Sequence, residues 1–518
     1  MILIYPPVAK PSEPPAGLAK LFGAMKRHGI PCRLLDANIE GILSLLNRPI
    51  KSADTWTSRA VRHRAAHLQE LRDPGGYKSP DRYRRAVLDL NRILVKSTCD
   101  MGVRASLVNY VDQELSPLRS RDLLRAAEHP ERNPFSGYFM KRLDQIMAEG
   151  DHRTIGFSLN YLSQALCTFA MAGFIKRKYP SLKVILGGGL VTSWMNRPGW
   201  KNPFTGLIDA MAAGPGEQWL ISYLGHVYKP GEDVPDFESL SGNRYFAPGF
   251  ILPFSTSSGC YWHRCCFCPE TAEGNAYKPI RSSRALEQAE ELAEKSGASL
   301  VHFVDNALSP AFLQEIARRG FSRPWYGFVR GSSLLADPDF AHALKRSGCI
   351  MLKLGVESGS QEVLDKLRKG IVLETLVHIL KAMRSAGIGT YVYLLFGTPP
   401  EDLVKARRTM TFTARYAEYI DFLNVAIFNM PVCSKEAEAY GTSPFYEGDL
   451  SLYTDFAHPL GWERSLVRSF LDKEFNRDPA ISAILRREPV LFTSNHAPFF
   501  VIHGESERDG QIGLIRGE

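Results

Sequence analysis

The chain has 518 residues, of which 44% are hydrophobic and 23% are charged, as in ordinary globular proteins. Because a single hydrophobic core stops growing at about 250–300 residues, this length predicts more than one domain. The formal net charge of +8 is too small for this length to indicate nucleic-acid binding, and no segment approaches the roughly 18 apolar residues of a membrane span.

The distribution of cysteines predicts a reducing compartment. The chain has nine cysteines, an odd number, and they are clustered rather than evenly spread. This pattern is typical of thiols that bind metal instead of forming disulfides. The opening residues, MILIYPP, also lack the basic start of a secretory signal. We therefore expect a cytoplasmic protein.

Short apolar runs alternate with helical patterns over residues 1–230. Strands are predicted at 2–5, 32–35, 155–159, 184–186 and 209–213. Between the first two, apolar residues at i, i+3, i+4 and i+7 from Leu18 predict a helix, which Gly29 ends. Such strand–helix–strand units build a doubly wound, Rossmann-like α/β domain.

An insertion at residues 42–153 interrupts this domain. Basic helical patterns at 58–72 and 80–93 dominate it, so we expect a solvated helical cap; a clamp for an acidic or peptide substrate is the alternative. Residues 231–249 are rich in Pro, Gly, Ser and Asp, which predicts a linker to a second domain.

The most informative segment is STSSGCYWHRCCFCPE, at residues 255–270. Cys260, Cys265 and Cys268 form a C-x4-C-x2-C pattern, and Cys266 is an additional thiol between them. Thiolates suit zinc, copper(I) or an iron–sulfur cluster. Structural zinc would need a fourth ligand at short spacing, for which His263 is the local candidate. Three cysteines without a clear fourth favour a cluster with one open iron.

Six apolar runs with intervening helical patterns surround and follow the cysteines. They lie at 252–255, 300–304, 325–329, 350–354, 391–396 and 422–427. The alternation predicts a parallel, partial (β/α)6 barrel over residues 250–428, with the cysteines at the carboxyl edge after its first strand. Residues 429–518 are mixed in character and predict a small carboxyl-terminal domain, whose aromatic segments favour packing over a substrate lid.

Three motifs in this order resemble the radical S-adenosylmethionine (radical SAM) superfamily. They are the three cysteines, GVESGSQEVLDKLRKG at 355–370, and YLLFGTPPED at 393–402. The first cysteine gap is one residue longer than the commonest family spacing, C-x3-C-x2-C. The resemblance implies a [4Fe-4S] cluster on Cys260, Cys265 and Cys268, with Cys266 as a bystander. It also implies S-adenosylmethionine as cofactor and a flavodoxin or ferredoxin-type electron donor.

The same resemblance implies S-adenosylmethionine contacts at the ends of other strands. Asp305, or its neighbour Asn306, would meet the amino group, although a helix cap explains Asp305 equally well. Arg330 would pair with the methionine carboxylate unless it forms a surface ion pair. Glu357 and Ser358 would contact the ribose. Gly397 would let the backbone approach the adenine.

The amino-terminal domain resembles cobalamin-binding domains. Asp36, Asn38 and Gly41 match the D-x-H-x-x-G signature, with Asn in place of the cobalt-ligating His, so the lower face of the cobalt would be open or loosely occupied. Further correspondences lie at the ends of the later strands: Ser158, Gly187, Gly188 and Glu217. Glycine would be needed where the nucleotide tail of cobalamin approaches the backbone. A degenerate domain without cofactor is the alternative.

Together the two resemblances imply a cobalamin-dependent radical SAM enzyme. The expected reaction is methyl transfer to an unactivated carbon of a small-molecule or peptide substrate, through a 5′-deoxyadenosyl radical. Ring formation, oxidation or another group transfer is the first alternative, and a cobalamin or redox sensor is the second. The sequence does not identify the substrate.

Overall fold

The computed structural model describes residues 1–50, 54–242, 245–489 and 496–501. The chain divides into two compact units. The first contains Met1–Phe250 and Tyr446–Leu452, and the second contains Ile251–Phe445 and Tyr453–Pro489. Among the described residues, none of the helices combines the length and the apolar character needed to cross a membrane.

The first unit is built on a five-stranded parallel sheet of order β2-β1-β5-β6-β7, with a separate β3–β4 hairpin. The strands are β1 Ile2–Tyr5, β2 Arg33–Asp36, β3 Val103–Ala105, β4 Tyr110–Asp112, β5 Thr154–Ser158, β6 Lys183–Gly187 and β7 Ala210–Met211. The five strands predicted for this domain are confirmed. Open sheets of this order bind ligands beyond the carboxyl ends of their strands, where the strand order reverses.

Ten helices of this unit lie in its described part. They are α1 Ala16–Arg27, α2 Ala37–Leu46, α3 Thr55–Arg72, α4 Pro80–Thr98, α5 Ser120–Glu128, α6 Ser136–Ala148, α7 Leu162–Lys178, α8 Gly189–Met195, α9 Glu217–Tyr223 and α10 Glu238–Ser241. Helix α7 is the central one, because its residues 164–175 are all buried. The predicted helices of the insertion correspond to α3 and α4. The β3–β4 hairpin was missed, since strands of three residues carry no periodic signal.

The described residues of the predicted linker, 231–242 and 245–249, belong to the first unit. The Asp236 backbone N–H donates to the Ala19 carbonyl at 3.0 Å, and the Phe246 N–H donates to the Pro11 carbonyl at 2.8 Å. Lys26 pairs with Asp236 at 2.8 Å. These contacts attach the segment to the first unit, so its Pro- and Gly-rich composition reflects turns on a surface.

The second unit is built on a six-stranded parallel sheet of order β15-β14-β13-β12-β11-β8. All six predicted strands are confirmed. The strands of the unit are β8 Ile251–Phe254, β9 Ser257–Ser258, β10 Lys278–Pro279, β11 Leu300–Phe303, β12 Trp325–Val329, β13 Cys349–Glu357, β14 Gly389–Phe396, β15 Phe422–Ile427, β16 Met430–Pro431, β17 Thr442–Pro444 and β18 Tyr453–Phe456. Strand β13 continues beyond its predicted end and includes Glu357. Its pairing with β14 shifts register between Gly355 and Glu357.

The helices of the second unit are α11 Pro269–Ala272, α12 Ser282–Ser296, α13 Pro310–Arg319, α14 Ser333–Ala336, α15 Pro338–Arg346, α16 Gln361–Lys366, α17 Leu373–Ala386, α18 Leu403–Arg415, α19 Arg464–Lys473 and α20 Pro479–Arg487. The Phe396 ring of β14 lies 5.9 Å from that of Phe470 and 5.1 Å from that of Phe475. Carboxyl-terminal aromatics therefore pack on the sheet as core residues.

Candidate active site

The cysteine loop leaves the carboxyl end of β8 and is closed at its base. Strands β9 and β10 pair across it, with Ser258 opposite Lys278. Gly259 begins the loop at φ +73°, and a Cβ there would lie 2.5 Å from the Ala276 carbonyl oxygen. Only glycine therefore fits this turn without a shift of the backbone.

The three predicted ligands share one electrostatic environment. The pKa of the Cys265 thiol is raised to about 11, mainly by burial; Lys369 opposes this shift, and Cys268, Glu357 and Cys260 add to it. Burial likewise raises the pKa of Cys268, with Cys260 adding to the effect. The thiols of the C-x4-C-x2-C pattern thus interact with one another.

Cys266 is oriented differently. Its Sγ donates to the Lys366 carbonyl at 3.5 Å. Burial and a hydrogen bond with Glu436 raise the pKa of this thiol to about 12. Cys266 thus has contacts with Lys366 and Glu436, and its role as a bystander stays a prediction.

Within the described ranges, no three His, Cys, Asp or Glu side chains enclose a site for a single metal ion. Cysteine thiolates are the ligands of iron–sulfur clusters, and the three thiols of the pattern are half-buried on one loop.

The segment after α16 is held against the cysteine loop. The Trp262 indole N–H donates to the Arg368 carbonyl at 3.0 Å, and the Cys266 backbone N–H donates to the Leu367 carbonyl at 3.3 Å. Arg368 has a φ of +53°, a value that costs energy for a residue with a side chain. Tertiary contacts therefore maintain an unfavourable local backbone here.

Lys369 is the functional candidate that sequence reasoning missed. Its ammonium lies 2.6 Å from the Glu357 carboxylate and 5.6 Å from the ring centre of Phe267, inside the cysteine motif. Burial alone would lower the pKa of Lys369, but Glu357 and the Cys265 thiolate outweigh that effect and raise it. Lys369 follows Glu357 by twelve positions in a polar helical pattern, and nothing in that pattern predicts a contact between them.

Glu357 ends β13 at a strained position. Its φ is +64°, although it is not a glycine, and the strand pairing shifts register beside it. Such outliers cluster at functional sites. With its Oε1 held by Lys369, Glu357 presents its carboxylate at the carboxyl edge of the sheet.

Arg330 is engaged by its surroundings. Its Nε donates to the Lys369 carbonyl at 2.9 Å, and an Nη donates to the Gly370 carbonyl. The guanidinium carbon lies 3.5 Å from the centre of the Trp262 ring. The alternative of a surface ion pair is therefore wrong for the described residues: Arg330 joins β12 to both loops around the thiols.

Asp305 is buried, and its carboxylate is used by the start of the cysteine loop. It accepts hydrogen bonds from the Thr256 backbone N–H at 2.9 Å, the Thr256 hydroxyl at 2.8 Å and the Ser257 hydroxyl at 2.6 Å. The alternative of a helix cap is wrong, because Ser309 caps α13. Asp305 thus orients the cysteine loop, and its contact with an amino group stays a prediction.

Ser358 is buried and hydrogen-bonded within the fold. Its hydroxyl bonds to the Thr409 hydroxyl at 3.1 Å and accepts from the Ser360 N–H at 3.1 Å. Ser358 therefore stabilises the turn after Glu357, and its contact with a ribose stays a prediction.

Gly397 follows β14 at φ +76°, where a Cβ would lie 3.2 Å from a Val467 methyl group. Its N–H donates to the Glu401 carboxylate at 2.5 Å. Burial raises the pKa of Glu401 to about 8. Gly397 thus anchors a buried carboxyl group, and its approach to an adenine stays a prediction.

In the first unit, the D-x-N-x-x-G residues serve the fold. Asp36 caps α2 by accepting from the Ile39 N–H at 3.1 Å and accepts from the Tyr245 hydroxyl at 2.8 Å. Burial raises the pKa of this carboxyl group to about 6. Gly41 lies within α2, where a Cβ would come 3.0 Å from the Phe135 ring. Both residues are used by the fold, and their contact with cobalamin stays a prediction.

Asn38 is also committed to the fold. Its Oδ1 accepts from the Ala9 N–H at 2.8 Å, and its Nδ2 donates to the Ala9 carbonyl at 2.9 Å. The side chain is buried, with 2% of its residue surface exposed. Its amide pairs with the Ala9 backbone as a neighbouring strand would, and its place at the lower face of a cobalt ion stays a prediction.

The remaining four residues of the predicted cobalamin site come together. Ser158, Gly187, Gly188 and Glu217 line one cavity of 190 Å³ beyond the carboxyl ends of β5 and β6. A Cβ on Gly188, at φ +107°, would lie 2.5 Å from the Leu159 carbonyl oxygen. The cavity thus depends on backbone that side chains would obstruct.

Comparison with known proteins gives a family match within the second unit and several relatives of the chain. The profile of the Radical SAM superfamily matches residues 254–412. The chain is 26% identical over 299 residues to the hopanoid C-3 methylase of Methylococcus capsulatus, covering 50% of this chain and 55% of that protein. It is 26% identical over 182 residues to the cytidylyl-2-hydroxyethylphosphonate methyltransferase of Streptomyces wedmorensis, covering 33% and 34%. The chain therefore spans about half the length of the hopanoid methylase and about a third of the length of the phosphonate methyltransferase.

A solved structure extends the likeness to most of the chain. It is the radical S-adenosylmethionine methyltransferase TsrM from Kitasatospora setae, with tryptophan substrate and a SAM analogue bound. The TM-score is 0.51 at 17% identity, and the alignment covers 83% of this chain and 73% of that one. At this identity the likeness establishes a shared fold.

Proposed function

We propose that this chain, whose residues 254–412 match the profile of the Radical SAM superfamily, is a cobalamin-dependent radical SAM methyltransferase. Its substrate would be a small molecule or peptide that is methylated on an unactivated carbon. The observation that carries the proposal is the convergence of three thiols, a buried lysine and a strained glutamate at one edge of a parallel sheet.

The cysteine loop fits an iron–sulfur cluster. Cys260, Cys265 and Cys268 would hold it, because they interact with one another and Cys266 does not. When bound, the cluster, S-adenosylmethionine and cobalamin would supply reductive cleavage to a 5′-deoxyadenosyl radical and a methyl donor. Asp305 and the β9–β10 pairing keep the loop in one conformation, so the thiols are preorganised.

Two side chains would hold S-adenosylmethionine. The Oε2 atom of Glu357 has no partner among the described residues and would accept hydrogen bonds from ribose hydroxyls. Arg330 keeps donors beyond those bound to the Lys369 and Gly370 carbonyls and would bind the methionine carboxylate. Lys369 orients Glu357 for this task.

The cavity of the first unit fits the nucleotide tail of cobalamin. It is lined by backbone at Gly187 and Gly188 and by the Ser158 and Glu217 side chains. Close approach of an aromatic base to a sheet edge requires such small residues. Asn38 would leave the lower face of the cobalt without a protein ligand, because both ends of its amide bind Ala9.

Methyl transfer is favoured over the alternatives because the two relatives described above are named as a methylase and a methyltransferase. Ring formation, oxidation and sensing have no comparable support. A flavodoxin or ferredoxin-type protein would donate the electron. All nine cysteines are free thiols, as expected in the reducing cytoplasm, where we place the protein.

The test is anaerobic reconstitution with iron, sulfide and hydroxocobalamin, followed by reduction in the presence of S-adenosylmethionine. We expect bound cobalamin together with 5′-deoxyadenosine and S-adenosylhomocysteine. A variant with alanine at Cys260, Cys265 and Cys268 should retain cobalamin and form no 5′-deoxyadenosine. Formation of 5′-deoxyadenosine by wild type without cobalamin retention would rule out the methyl transfer proposed here.

A further inference from the structure

The helical insertion encloses a cavity that the proposed reaction does not use. Its volume is 540 Å³, within the range of about 300–1,000 Å³ typical of small-molecule sites. It lies between the β3–β4 hairpin, α5 and the central helix α7 of the first unit. A cavity of this size in a closely packed domain needs an explanation.

The inner wall combines an apolar surface with buried polar groups. Leu166 and Ala170 of α7 supply the apolar part and are nearly fully buried. Asn133 donates its amide to the Tyr110 hydroxyl at 3.4 Å. The Tyr110 proton has no acceptor among the residues that the structure describes, so it is available to a ligand.

The rim carries charges of both signs. Arg125 lies 3.6 Å from Glu114, a separation too long for a hydrogen bond. His129, which also lines the cavity, lies 3.4 Å from Glu131. The Glu114 and Glu131 side chains are 72% and 56% exposed, so both carboxylates keep oxygen atoms that a further cation could contact.

Arg132 is a further cation at this rim. It is exposed, and it has no hydrogen bond or ion pair in the described part of the chain. The other lining carboxylates are Asp100 and Asp112, and Asp112 accepts from two backbone N–H groups of its own turn. Carboxylates outnumber guanidiniums in the lining, so an anion without a balancing positive charge would be repelled.

We propose that this cavity binds a short peptide through its free termini. The ammonium group would meet Glu114 and Glu131, and the carboxylate would meet Arg132. The apolar body would lie on Leu166 and Ala170. This assignment does not depend on the radical chemistry of the second unit, because every residue it uses belongs to the first.

The test uses a matched series of dipeptides and the full-length protein. Binding of glycyl-phenylalanine is compared by calorimetry with its N-acetylated form, its C-terminal amide and the doubly capped form. The free dipeptide should bind at least tenfold more tightly than either singly capped form. Absence of binding at millimolar concentration, or equal binding of the doubly capped form, overturns the proposal.

Variants locate the site. Arg132→Ala should weaken the free dipeptide at least tenfold and leave the C-terminal amide unchanged, because only a carboxylate uses Arg132. Arg121→Ala is the control: Arg121 lies on α5, its side chain is 77% exposed, and it does not line the cavity. Ala170→Phe should abolish binding by filling the cavity. Equal loss in the Arg121 and Arg132 variants, or none in Arg132→Ala, overturns the proposal.

Discussion

The Lys369 ammonium lies 2.6 Å from the Glu357 carboxylate, and their side chains are only 7% and 10% exposed. The pair stands between the strained end of β13 and the cysteine loop, since the same ammonium lies 5.6 Å from the Phe267 ring centre. A buried ion pair contributes little net stability, but removing one partner is costly. Its position beside three thiols indicates a role in the site.

Replacing Lys369 should lower the reduction potential of a reconstituted cluster. A buried cation stabilises the reduced state, which carries one more negative charge. At a fixed potential, we expect the fraction of reduced cluster in Lys369→Met to be at least tenfold smaller than in wild type. This corresponds to a fall of about 59 mV in the one-electron reduction potential. Lys369→Arg should keep the wild-type potential. Redox titration followed by electron paramagnetic resonance measures both, and an unchanged Met variant would contradict the prediction.

The two adjacent cysteines should behave differently. Cys266→Ser should retain iron, sulfide and the visible absorption of the cluster, because the Cys266 Sγ points to the Lys366 carbonyl. Cys265→Ser should lose most of the iron. Iron and sulfide analysis after reconstitution distinguishes them. Equal loss from both variants would mean that Cys266 is a ligand.

Substitution of Asn38 should affect folding and not cobalt. Asn38→Ala removes both hydrogen bonds to the Ala9 backbone. The free energy of unfolding should therefore fall by about 1–3 kcal/mol for each backbone group left unsatisfied. The visible spectrum of bound hydroxocobalamin should remain that of wild type. A change in cobalt ligand-field bands in this variant would show that Asn38 reaches the metal.

Two adjacent glycines provide a test of the 190 Å³ cavity. At Gly187 the nearest neighbour of a Cβ is Ala212 at 3.9 Å, so Gly187→Val should fold and fill the cavity. At Gly188 a Cβ would clash with the Leu159 carbonyl, so Gly188→Ala should destabilise the unit by about 1–3 kcal/mol. Cobalamin retention should fall in both, with a loss of thermal stability only in Gly188→Ala. Full retention by a stable Gly187→Val would contradict this use of the cavity.

Glu401 should make stability depend on pH. Burial raises its pKa to about 8 in the folded protein, above the unfolded value of about 4.3. The folded state therefore binds more protons between these values, and stability falls as pH rises from about 4.3 to about 8. Glu401→Gln should be less sensitive over this window. Thermal unfolding of both proteins across the window measures the difference, and parallel curves would refute it.

Local patterns were sufficient to predict both sheets. The alternation of short apolar runs with helical patterns predicted the six strands of the second unit and the five of the first. Burial on both faces of a parallel sheet produces such apolar runs. The β3–β4 hairpin and the attachment of residues 231–249 were not predictable in this way. Both depend on a few backbone hydrogen bonds between segments, which leave no periodic trace.

Candidate ligands could be assigned from residue type only where the chemistry is distinctive. The three thiols of the C-x4-C-x2-C pattern are such a case, and so is the Gly187–Gly188 pair beside a cavity. A motif position does not reveal whether a side chain keeps exposed surface. Ser358 and Asn38 are buried and hydrogen-bonded within the fold, and their contacts with a cofactor stay predictions.

The sequence by itself determined the α/β class, the positions of the strands along the chain and the location of the cysteine loop, since these follow from periodicity and thiol chemistry. Only the tertiary structure decided the order of the strands in each sheet, the contact of Lys369 with Glu357, the contact of Cys266 with the Lys366 carbonyl and the cavity beside the insertion. These relationships join residues from different elements. Their distances depend on how the elements pack, which is a property of the whole unit.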